Sequence, residues 1–151
     1  MIKLIVSILL VLLAAAQFVR PQKNLSASSG PTEITSSHSV PSEVQSLLRR
    51  ACYDCHSNHT NYPWYAEVQP LAWWLASHVK EGKEHLNFSE FGAYTLKRKI
   101  SKLEQVSDEV SQHAMPLPSY TWAHPEARLS AAEVKLLTDW ADDLRDEIAD
   151  E

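Results

Sequence analysis

The sequence predicts an all-α protein, and three observations carry that expectation. Apolar residues recur at steps of three and four in several separate stretches. No stretch alternates apolar and polar residues as a half-buried strand does. Three glycines against eight prolines suit helices joined by stiff turns. A chain of 151 residues, 44% hydrophobic and 22% charged, has the balance of one globular domain, which excludes collagen-like and wholly disordered classes. The net charge of −5 lacks the basic excess of a general nucleic-acid binder, so no nucleic-acid partner is expected.

Residues 1–20 start with a single base, Lys3, and then run apolar from Leu4 to Ala16 with Ser7 as the only interruption. Continued to Val19, a helix there would be about 24 Å long, short of a hydrocarbon core of roughly 30 Å. Two readings remain open. Ala14-Ala15-Ala16 has the small residues of an export signal's cleavage site, while Phe18 and Val19 extend the apolar run to Arg20 as a retained membrane anchor would. Either one leaves Lys3 in the cytoplasm and exports the residues beyond Arg20, placing them on the periplasmic side of a bacterial inner membrane or free in the periplasm. A helix buried in the core is disfavoured, because this run has no polar face. Residues 21–40 hold six serines and little to bury, and read as a flexible linker spanning about 25 Å. The folded unit is then expected over 41–151.

Within that unit Pro41 suits a first helical position. Val44, Leu47, Leu48, Ala51, Cys52 and Cys55 come next at helical spacing, so one helix face is expected to end in both cysteines. A second helical stretch over 63–86 carries Trp64, Val68, Leu71, Leu75 and Val79, with Pro70 kinking or restarting it. A third, over 89–110, sets Leu96, Ile100, Leu103 and Val106 against a basic face from Lys97 to Lys102. Ser130 with Glu133 is a capping-box pattern ahead of Val134, Leu137, Ala141, Leu144 and Ile148. That last helix holds eight acids and two bases from Glu133 onward. The basic and acidic faces are candidate docking surfaces for a redox partner, with plain solvation as the alternative.

The chemistry-bearing residues concentrate at Cys52-Tyr53-Asp54-Cys55-His56. C-x-x-C-H is the pattern of covalent haem attachment: two thiols reach the two vinyl groups on one porphyrin edge, and the next residue ligates the iron. Cys52 and Cys55 would form the thioethers of one haem c, and His56 the proximal bond. A thioredoxin-like thiol pair is a rival that expects a strand before the motif. A structural zinc site is another, but it lacks a second C-x-x-C.

Met115 is the only methionine after the initiator and stands in the proline-stiffened stretch Ala114-Met115-Pro116-Leu117-Pro118. A lone methionine is usually core filler. Here it is the leading candidate for the distal iron ligand, and His/Met ligation suits an electron carrier. His78 is the second candidate. An open distal position would instead suit a peroxidase or gas sensor, although no distal acid-base pair is evident and an enzyme is not the leading reading. Trp73, Trp74, Tyr120 and Trp140 are candidates to line a haem, and Arg49 and Arg50 to meet its propionates, with core packing and solvent exposure as the alternatives.

Taken together, Cys52 to Asn58, Tyr62-Pro63-Trp64-Tyr65, Gly82 with His85 to Ser89, and Met115 to Tyr120 with His124 resemble the bacterial haem-binding domain family over roughly residues 41 to 141. The resemblance implies a single c-type haem domain, commonly with an N-terminal membrane segment, and haem attachment at Cys52, Cys55 and His56. Single-electron transfer to an unidentified redox partner is the function expected by analogy with c-type cytochromes.

Overall fold

The computed structural model describes residues 1–26 and 30–150. In those residues the chain is mostly helical and has no strand beyond one isolated bridge between Leu25 and His59, as the patterning predicts. The α-helices run in the order α1 (Ile2–Ala16), α2 (Ile34–Ser37), α3 (Ser42–Ala51), α4 (Tyr53–His56), α5 (Leu71–His85), α6 (Leu96–Ser111), α7 (Pro118–Ala123) and α8 (Ala131–Ala149). Three 3-10 turns, Trp64–Glu67, Phe88–Ala93 and Pro125–Ala127, connect them.

The caps explain several boundaries. Pro70 does not kink a long helix; it occupies the N-cap of α5, and the residues before it form a separate 3-10 turn. The third expected helix also divides, because Thr95 accepts from the Arg98 N–H and starts α6 afresh after the Phe88–Ala93 turn. The capping box at Ser130 and Glu133 forms in full and opens α8. In front of it stands α7, which at six residues is too short to show a helical period in the sequence; Pro118 is a first-turn residue there, where a missing N–H costs nothing.

The N-terminal segment departs from expectation in two ways. α1 is 15 residues long, about 22 Å, and among the described residues no helix is long and apolar enough to cross a membrane. None of its residues is buried, which removes the core-helix alternative. Residues 21–40 are not a free linker where they are described. Thr60 N–H donates to Asn24 O at 3.0 Å, Gly92 N–H donates to Thr32 O at 2.7 Å, and Ile34 is completely buried in the core. Composition misled because the polar residues here pair with the backbone of the Phe88–Ala93 turn and the loop after α4, while Ile34 and Val40 provide the apolar anchors. Residues 27–29 of that stretch, and residue 151 of the expected folded unit, lie outside the described residues.

α6 and α8 form the most extensive helix pairing. Their Leu103, Val110, Leu137, Trp140, Leu144 and Ile148 join Ile34, Val44, Leu48, Phe88 and Phe91 in the main core. A smaller cluster of Ala66, Leu75 and Val79 lies under α5. Cys52 and Tyr53 pack on the first cluster and Cys55 on the second, so α4 is the seam between the two.

Candidate functional site

The expected single helix from Pro41 to Cys55 breaks at Cys52, whose φ of −126° departs from helical geometry and separates α3 from α4. The Cys55 and His56 N–H groups both reach back to Cys52 O, at 3.2 and 2.9 Å, so the three motif residues sit on one tight turn. That turn is pressed against α5 at Gly82. A Cβ on Gly82 would lie 2.7 Å from Cys55 O and 3.1 Å from Cys55 Cβ, so only glycine permits this approach.

His56 Nδ1 donates to Leu86 O at 3.0 Å. A carbonyl only accepts, so the proton is on Nδ1 and Nε2 keeps its lone pair for a metal. Burial holds this imidazole below its ordinary pKa, which favours the neutral, ligating form. Nothing in the sequence points to Leu86 as this partner, because a backbone acceptor leaves no trace in residue type.

Neither cysteine is in a disulfide. Burial pushes the Cys52 thiol up to about 12 and the Cys55 thiol up to about 11, the neighbouring Cys55 and Asp54 respectively adding to the effect. A thioredoxin-like pair needs a low-pKa thiolate and a preceding strand, and this site has neither among the described residues. The zinc alternative is equally unsupported, since among the described residues no group of three His, Cys, Asp or Glu side chains is arranged to hold a metal ion.

Around the turn lies a polar network that residue types alone do not reveal. Tyr120 donates its hydroxyl to Asp54 Oδ2 at 2.8 Å, while Asn61 donates from both its backbone N–H and its side-chain amide to Asp54 Oδ1. Burial and the Asp54 carboxylate raise the Tyr120 phenol above its ordinary pKa, which keeps it a donor. The Tyr120 ring stacks on His124 at 4.5 Å, and His124 bonds the Tyr65 hydroxyl at 2.8 Å and Glu126 at 3.3 Å. Tyr65, Tyr120 and His124, all three part of the family resemblance, thus fasten α7 and the Trp64–Glu67 turn to α4.

Met115 is half-buried in the turn between α6 and α7, with its N–H donating to Glu109 O at 3.0 Å. The neighbouring helix α7 is the one Tyr120 ties to the motif. His78 donates from Nδ1 to Trp74 O at 2.9 Å on its own helix, and its ring lies 4.2 Å from that of Trp74. Arg50 pairs with Glu133 at 2.6 Å and Arg49 is exposed. Trp140 belongs to the main core, whereas Trp73 and Trp74 are partly exposed. Two clefts of about 310 and 460 Å³ lie between residues 20–26 and α5, and α4 lines neither.

A buried imidazole with its Nδ1 proton engaged and two unbridged thiols on one turn are donors of the kind a haem-binding site uses. A family model described as the haem-binding domain matches residues 11–143. No curated protein and no solved structure matches the chain. Because the family match runs from the end of α1 through the C-x-x-C-H turn and into α8, the chain belongs to the haem-binding domain family and is a haem-binding protein.

Proposed function

We propose that the chain is a membrane-associated monohaem c-type cytochrome domain that passes single electrons between protein partners outside the cytoplasm. The observation that carries this reading is the His56 ring, held through Nδ1 by Leu86 O on the turn that also bears both thiols. Cys52 and Cys55 would hold the haem covalently, His56 would be the proximal ligand and Met115 the distal one. Bound haem would supply a one-electron couple at iron, and a thioether ligand from Met115 together with the His56 imidazole would raise its potential. The protein's own contribution is orientation. Leu86 fixes the plane of the imidazole, Gly82 fixes the distance of α5 from the turn, and Tyr120 ties α7 to Asp54. α1 serves as the anchor, a short segment that a bilayer accommodates by local thinning and by flanking residues reaching to the interface.

The test is to express the full chain with c-type haem maturation machinery and record spectra of both redox states. Haem that stays on the polypeptide through denaturing electrophoresis supports thioether attachment, and its loss there from properly matured protein refutes it. A weak far-red sulfur-to-iron band in the oxidised protein, abolished in Met115→Leu, supports the distal assignment. If Met115→Leu keeps its spectrum while His78→Ala loses the low-spin state, the distal ligand is His78.

A further inference from the structure

The end of α1 is joined to the domain by a built contact. Gln69 N–H donates to Gln17 Oε1 at 3.0 Å, and Gln17 Nε2 donates back to Gln69 O at 3.3 Å. Gln69 Nε2 and the Trp73 indole N–H both donate to Val19 O, at 2.8 and 3.0 Å. Arg20 donates to Glu67 O and pairs with the Glu67 carboxylate at 3.1 Å, and Lys23 pairs with the same carboxylate. Gln69 is only 2% exposed, so its bonds to Gln17 and Val19 are shielded from water and hold the end of α1 against the domain. α1 therefore leaves the domain in a set direction rather than through a loose tether.

That direction fixes which part of the domain lies level with the end of the apolar helix. Trp73 is bonded to Val19, the last apolar residue before Arg20. The first turn of α5 exposes Leu71, Trp73 and Trp74 at 41–44% each, and Val68 just before it is 41% exposed. Tryptophan favours the headgroup level of a bilayer, and basic side chains such as those of Arg20 and Lys23 sit well there. The one acid among these residues, Glu67, is already neutralised by those two bases.

We infer that Val68, Leu71, Trp73 and Trp74, with Arg20 beside them, form a second membrane contact that rests on the phospholipid bilayer entered by α1. The inference rests on the proposed reading of α1 as a retained anchor. It holds the haem domain in one orientation at the membrane surface, with the base of α5 against the lipid.

The full haem-loaded chain is reconstituted into phosphatidylcholine and phosphatidylglycerol vesicles that carry a phospholipid with a photoreactive headgroup. After irradiation, lipid adducts are mapped by mass spectrometry. Adducts are expected on the fragment carrying residues 68–74 as well as on α1. Replacing both Leu71→Glu and Trp74→Glu, which leaves the joint bonds in place, should lower the yield on that fragment several-fold and leave labelling of α1 unchanged. Adducts confined to α1 in the wild type overturn the second contact while leaving the anchor intact. A purified chain that lacks residues 1–16, or that does not float with the vesicles, overturns the anchoring reading and this inference with it.

Discussion

At the scale of single residues, Gly82 shows why the site tolerates so little change. Alanine is the better helix former by about 1 kcal/mol, so a Gly82→Ala change in an open helix would stabilise it. Here the added methyl meets the Cys55 carbonyl at 2.7 Å, and that backbone cannot rotate out of the way as a flexible side chain would. Net destabilisation of about 1–3 kcal/mol is expected, measured by denaturant unfolding of the purified chain. The Tyr120 hydroxyl makes a subtler contribution. Tyr120→Phe removes only the bond to Asp54, at 2.8 Å, and should cost about 1.5–3 kcal/mol because the acceptor is charged. In the haem-loaded protein the same change should shift the far-red sulfur-to-iron band if α7 positions Met115; an unmoved band would mean that the bond only stabilises the fold.

The element that best reports its own energetics is α8. Glu133 accepts from the Ser130 backbone N–H and hydroxyl within the capping box, and it also pairs with Arg50 of α3 at 2.6 Å. The Ser130 backbone bond, and after it the Arg50 contact, hold the Glu133 carboxyl down to about 2 from an ordinary value of 4.5. A carboxylate whose pKa is lowered by folding stabilises the fold above its ordinary pKa and loses that contribution as pH falls. The wild type should therefore lose stability between about pH 4.5 and pH 2 more steeply than Glu133→Gln, as read from denaturation midpoints across that range. Parallel slopes would show that the pair contributes nothing to the fold.

For the whole molecule, the division between linker and domain is the point at which composition and structure part. Ile34 lies in a serine- and threonine-rich stretch yet is as deeply buried as any residue of the main core. Ile34→Ala is expected to destabilise the domain by about 2–5 kcal/mol, the range for emptying a core isoleucine site, as measured by thermal or denaturant unfolding. The same change in a true linker would be silent. The joint at Gln17, Gln69 and Trp73 extends this conclusion to the other end of the stretch, since both ends are bound to the helical body.

Much of this protein is legible in the order of its residues, because the relevant physics is local. Helical periodicity, the capping box and the proline boundaries act within a few residues, and C-x-x-C-H brings both thiols and an imidazole onto one turn by spacing alone. Only the tertiary structure decides what meets that turn. The acceptor for His56 is a backbone carbonyl thirty residues away, Gly82 matters through a contact made across two helices, and Tyr120 finds Asp54 sixty-six residues upstream. Burial of Ile34 and the fixed exit of α1 are decided in the same way. A lone apolar residue or a glutamine carries no pattern of its own, and its role emerges only once the chain has packed around it.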